Sequence, residues 1–176
     1  GSCTVPTKCT TGDSALDAAI AQRKKSLMKI SFVEDGKGYV CSATLINTDR
    51  FPAAYVLTAN HCISTAEAAG SMTSFWFYEL SACDPLAATV TTPPQVAGGM
   101  QLVFTNANVD STLLLMAQSP PAGALYSGWN AAMVAAGTSV VSLSHPAGDT
   151  ARLALGATGL ELLRIVGRPQ DMYGVR

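Results

Sequence analysis

Between Leu27 and Ala117 the chain is cut into six short runs rich in Val, Ile, Leu, Phe, Tyr and Thr: Leu27 to Glu34, Gly38 to Ile46, Ala54 to Ala59, Met72 to Leu80, Met100 to Thr105 and Ser111 to Ala117. Gly, Pro, Asn and Asp punctuate them. Runs of this length bounded by turn formers read as strands, and six in succession predict a closed all-β unit ending near residue 118. Ser119-Pro-Pro-Ala-Gly123 reads as a linker, stiffened by two prolines and released by glycine. A second strand series follows at Ser139 to Ser144, Ala151 to Gly156, Leu160 to Val166 and Met172 to Arg176. Three or four strands would leave open edges and half a core in water, so a continuation past Arg176 is expected.

Upstream of the strands, Ser14 to Lys25 predicts a short helix, in which Ser14-Ala-Leu-Asp17 has capping-box form with Asp in place of Glu. The expected organisation is therefore a leader with a helix (1–26), a first β unit (27–118), and a linker with the first part of a second β unit (119–176).

Composition narrows the function. Charged residues make 13% of the chain, about half the usual 25%, and apolar residues 48%, which excludes a disordered tail. A net charge of −1 gives no electrostatic footing for a nucleic-acid partner or an anionic membrane, and Arg23-Lys24-Lys25 reads as a solvated face. No apolar stretch approaches the length of a membrane span. The start Gly1-Ser2-Cys3 has neither Met nor a signal-peptide core, so a mature or trimmed product is expected.

Five cysteines stand at positions 3, 9, 41, 62 and 83, without the Cys-x-x-Cys pair of a zinc ribbon or redox motif. Disulfides in an oxidising compartment are the reading, with one sulfur left over. A bridge between Cys41 and Cys62 would staple two strands and hold the turn carrying His61. His61, His145 and nearby cysteines have irregular spacing for a metal set, so no metal or cofactor is expected. Ser144-His-Pro-Ala-Gly-Asp149 reads as a strand-ending turn, and Trp129 and Phe75 to Tyr78 as core or site wall.

A histidine after a strand is usually structural, but the context of His61 reverses that reading. Thr58-Ala-Asn-His61-Cys62, preceded by Cys41-Ser-Ala-Thr-Leu45, resembles the catalytic-histidine region of trypsin-like serine endopeptidases, in particular their bacterial secreted branch that includes lysyl endopeptidase. Phe75-Trp-Phe-Tyr78 before Cys83, Asp110-Ser-Thr-Leu-Leu114, Gly128-Trp129 and Ser144 to Asp149 have counterparts there in the same order. The resemblance implies two Greek-key β-barrels of chymotrypsin type, the second incomplete in this chain. It makes His61 the general base and Asp110 its orienting carboxylate. A serine hydroxyl is a poor nucleophile near neutral pH, and an imidazole oriented by a carboxylate can take its proton and return it to the leaving amine; this arrangement is the standard template for such hydrolysis.

The departure is that no Gly-x-Ser-Gly segment follows Asp110; Gly12-Asp-Ser14-Ala15 precedes the histidine, and Gly137-Thr-Ser139 opens a strand. The resemblance therefore implies that the serine lies on a C-terminal segment or second chain. It pairs Cys9 with Cys83, and leaves Cys3 to bond that second chain. A chain end at Arg176 adds an expectation of cleavage after Arg or Lys. The expected function is a secreted serine endopeptidase acting on peptide or protein substrates, this chain alone being inactive. The alternative is a catalytically inactive homologue serving as a binding or scaffold module, against which the retained His61 and Asp110 speak.

Overall fold

The computed structural model describes residues 4–90, 92–164 and 171–175. In chain order it contains β1 (Val5–Pro6), α1 (Ser14–Arg23), β2 (Leu27–Glu34), β3 (Lys37–Ile46), β4 (Tyr55–Thr58), α2 (Ala66–Gly70), β5 (Thr73–Trp76), β6 (Gln95–Val96), β7 (Met100–Asn106), β8 (Ser111–Met116), β9 (Ser139–Ser144), β10 (Arg152–Arg164) and β11 (Asp171–Val175). No helix among the described residues is long and apolar enough to cross a membrane.

The cap of α1 is not the one expected. Asp13 closes the helix start, accepting from the amides of Ala15 and Leu16 at 2.9 and 3.1 Å. A carboxylate there also meets the positive end of the helix dipole. Asp17, one methylene shorter than the usual Glu, turns to the leader and accepts from the Thr11 amide and hydroxyl.

β2 and β3 form a hairpin whose two turn residues, Asp35 and Gly36, both have positive φ, as a two-residue turn matching strand twist requires. Strand order in the larger sheet is β6-β5-β2-β3-β4-β8-β7, and its strand pairs are antiparallel. The sheet curls until its ends meet: the Gly99 amide, ahead of β7, donates to the Met72 carbonyl, ahead of β5, at 3.1 Å. Its concave side is the core. Alternate residues point inward, giving buried Met28, Ile30 and Phe32 from β2 and Thr112, Leu114 and Met116 from β8. Trp76 is fully buried with its indole N–H donating to Ser74 Oγ.

The smaller sheet is built on β10. At Leu153 it is flanked by Val5 of β1 and Leu143 of β9, and farther along it pairs with β11. The two strands expected at Ala151 to Gly156 and Leu160 to Val166 are one continuous strand over Arg152–Arg164; Val166 lies outside the described residues. Past the prolines, Ser127 bonds back to the large sheet, its amide donating to Leu45 and its carbonyl accepting from Asn47.

A second junction joins the sheets. The Lys29 ammonium lies 4.9 Å from the Phe75 ring centre and 4.4 Å from that of Tyr78, and Tyr78 stacks on His145. Next to them the Ala151 amide donates to the Tyr78 carbonyl, and the His145 amide to Ser42 Oγ.

Candidate active site

His61 sits three residues past the end of β4. Its neighbours Cys62 and Ile63 are buried, and both their amides donate to the Ala59 carbonyl, forming a tight turn with His61 on its outer side. The Cys41–Cys62 disulfide ties that turn to β3, as the position of the cysteines implied. Asp110 lies between β7 and β8, after a 3-10 turn over Ala107–Val109, with left-handed backbone (φ 47°, ψ 46°). Aspartate is among the few residues that tolerate this region.

Strand pairing brings the two together. Thr58 at the end of β4 is the register partner of Thr112 near the start of β8, so the segments carrying His61 and Asp110 leave the sheet at the same end. Asp110 then uses both carboxylate oxygens on the histidine: Oδ1 accepts from the His61 backbone N–H at 2.9 Å, and Oδ2 lies 2.7 Å from ring Nδ1. The imidazole is 54% exposed and the carboxylate 15%. A carboxylate on Nδ1 favours the tautomer with the proton there, which leaves the Nε2 lone pair able to accept a proton.

Around this pair runs a set of hydrogen bonds that sequence reasoning missed. Asn60 Nδ2 donates to Thr105 Oγ1 at 2.7 Å, Thr105 and Thr112 hydroxyls lie 2.6 Å apart, and Thr112 Oγ1 donates to the Ile63 carbonyl at 2.7 Å. Asn60 and Thr112 stand inside the quoted motifs, and the polar inward position of Thr112 in an otherwise apolar strand face was the available signal.

Cys41, His61 and Cys62 bring potential ligand atoms within 4.8 Å of one another. Both sulfurs are spent in the disulfide, and it is the thiolate that binds metal. His145 is buried in the strand-ending turn, its Nδ1 2.9 Å from the Asp149 carbonyl; burial holds its pKa below the ordinary imidazole value. Trp129, expected as core or site wall, is 69% exposed, held by an indole hydrogen bond to the Asn47 carbonyl. Ser14 opens α1 and Ser139 opens β9, neither in a glycine-rich turn after Asp110.

The second disulfide, Cys9–Cys83, closes 74 residues and ties the leader to the loop between β5 and β6, a pairing that the family resemblance implied. Cys3, from which a bond to a second chain was expected, lies outside the described residues.

Comparison with known proteins bears on the family and the fold. Residues 1–171 match the family model of the lysyl endopeptidase C-terminal domain. The chain is 34% identical over 160 residues to a lysyl endopeptidase of Pseudomonas aeruginosa, covering 89% of this chain and 34% of that protein; it thus spans about a third of that relative. Among solved structures, the active form of the Rv3671c protease of M. tuberculosis superposes with a TM-score of 0.57 at 18% identity, over 94% of this chain and 64% of that one. Deg5 gives 0.59 at 12% identity, over 96% and 76%. These two likenesses carry the fold, that of chymotrypsin-type proteases. With a matching family model over nearly its whole length, a relative at 34% identity and that fold, this chain belongs to the lysyl endopeptidase C-terminal domain family.

Proposed function

We propose that this chain is the His- and Asp-bearing part of a secreted serine endopeptidase that hydrolyses peptide bonds after Arg or Lys. In this reading residues 27–118 form the first barrel and 119–176 the linker and the start of the second. The serine comes from a C-terminal segment outside these 176 residues, on a second chain bonded through Cys3. The observation that carries the reading is the two-oxygen grip of Asp110 on His61. The relative named lysyl endopeptidase supports a basic residue at the cleavage position, and two disulfides suit an oxidising compartment.

His61 Nε2 takes the serine proton as the oxygen attacks the substrate carbonyl carbon. Asp110 stabilises the imidazolium, which gives the proton to the departing amine as the C–N bond breaks. Water, deprotonated by the same nitrogen, then attacks the acyl-serine ester; the C–O bond breaks, the imidazolium returns its proton to the serine oxygen, and the acid is released. Asp110 supplies orientation and charge throughout and keeps no proton.

The test uses the protein carrying this chain together with its serine segment. A fluorophosphonate should label that serine, peptides with Lys or Arg at the cleavage position should be cut, and His61→Ala should abolish both. Folded protein that neither labels nor cleaves would overturn this reading in favour of the alternative, a catalytically inactive homologue. Intact mass before and after reduction checks the Cys3 tether: a larger species that splits on reduction supports it, and an unchanged 18.2 kDa chain removes it.

A further inference from the structure

An exposed ion pair is worth little, because water screens it and two side chains must be ordered to hold it. The His61 ring is more than half exposed, yet the proposed chemistry needs its Nδ1 fixed on Asp110 to within a few tenths of an ångström. Something less exposed must set that geometry. The bonds around the pair do so, and proton counting gives them a single direction.

Thr112 has one hydroxyl proton, and it goes to the Ile63 carbonyl. The 2.6 Å bond between the two threonines must then use the proton of Thr105, with Thr112 accepting. Thr105 has no proton left for Asn60, so Asn60 must present its NH2 group, as it does. The order is Asn60 N–H to Thr105 O–H to Thr112 O–H to Ile63 C=O, each link with one donor and one acceptor. Thr112 is fully buried, where such bonds are stronger and a lost partner is costly.

The ends of this relay matter as much as its direction. Asn60 and Ile63 bracket His61, while Thr105 and Thr112 bracket Asp110. The relay therefore clips the turn carrying the base to both strands carrying the acid, on either side of the pair. The geometry points to Asn60, Thr105 and Thr112 as positioning residues that hold His61 against Asp110. None touches the reacting atoms. The inference rests on the catalytic reading of the pair, and deepens it.

The relay is tested first on this 176-residue chain, where no activity is needed. The Nδ1 proton between His61 and Asp110 should give a downfield NMR resonance in the wild-type chain. Thr112→Val keeps shape and removes the hydroxyl; it should broaden or abolish that resonance, while Thr112→Ser restores it. Asn60→Asp offers only acceptors to Thr105 and should weaken the resonance from a part-buried position outside the hydrophobic core; Asn60→Ala should do the same. If folded Thr112→Val and Asn60→Asp both keep the wild-type resonance and its exchange rate with water, the relay does not position His61.

In the complete protease, Thr112→Val should lower kcat about tenfold with KM within about twofold, since only the alignment of the base is lost. A rise in KM alone would overturn the inference. Failure of the wild-type protease to label with fluorophosphonate would instead sink the catalytic reading and leave the NMR result standing.

Discussion

The Lys24 ammonium lies 2.6 Å from Glu79 Oε2, and Lys8 reaches the other oxygen of the same carboxylate at 3.0 Å. Thr7 adds a hydrogen bond to Oε2, so the leader, the end of the helical segment and the strip after β5 converge on one acid. Burial alone would raise the Glu79 carboxyl, but the hydrogen bonds and charges of Lys24 and Lys8 outweigh it and leave the pKa below the ordinary 4.5.

A carboxyl with a lower pKa folded than unfolded stabilises the fold above the unfolded value, and that stability is lost as pH falls through the folded one. Wild-type protein should therefore lose stability faster than Glu79→Gln as pH drops below about 4.5. At neutral pH the variant should be less stable by about 1–2 kcal/mol. Urea midpoints across pH check it; parallel curves for the two proteins would refute it.

His145 behaves with the same sign for a different reason. Burial favours its neutral form, the nearby Lys29 charge adds to that, and the Asp149 carbonyl and carboxylate oppose it only in part. The unfolded chain accepts a proton near pH 6.5, the folded one only below that, so the junction at His145 loses stability as pH falls from about 6.5. Exchange of the Ala151 amide, which bonds across the junction to Tyr78, should accelerate relative to core amides of β2 over that range. His145→Phe, which cannot charge, should flatten the dependence.

Gly99→Ala should destabilise by at least about 2 kcal/mol. The backbone there has φ +74°, and an added Cβ would fall 2.2 Å from the Gly70 carbonyl oxygen, a backbone atom that cannot swing aside. Gly36→Ala has an open surrounding and only the turn conformation against it, so its thermal unfolding midpoint should fall less. Equal losses would mean that the contact with Gly70 does not matter.

Replacing Cys9 and Cys83 together by Ala should cost about 2–4 kcal/mol, through the loop closure that the bridge imposes on the unfolded chain. Denaturant unfolding of the double variant measures it, and the His61–Asp110 resonance should survive, since that bridge does not touch the pair.

Sequence alone reached the strands that bury one face. β2 and β9 match their expected limits to the residue: alternation marks β2, while β9 is marked by its Val and Leu content between Gly137 and Pro146. It missed β6, two residues with no pattern to read, and α2, five residues whose only signal is the Thr65 cap. The break placed near Ala157-Thr-Gly159 was a misread glycine: the strand continues there, with a register shift between Thr158 and Leu162 that absorbs it. At the site, His61 and Asp110 were legible as motif residues. Asn60 and Thr105 were not, since their partnership exists only once separate strands align.

The pairing of β4 with β8 also governs when the site comes into being. Those strands join Tyr55–Thr58 to residues more than fifty positions later, with α2, β5, β6 and β7 lying in the loop between. Contacts so distant in sequence form slowly, after most of that loop has lost its freedom. A nascent or partly folded chain can thus have a finished β2–β3 hairpin while His61 and Asp110 are still far apart. In the proposed catalytic reading, a chain whose β4–β8 ladder is still open has no oriented base, whatever serine reaches it.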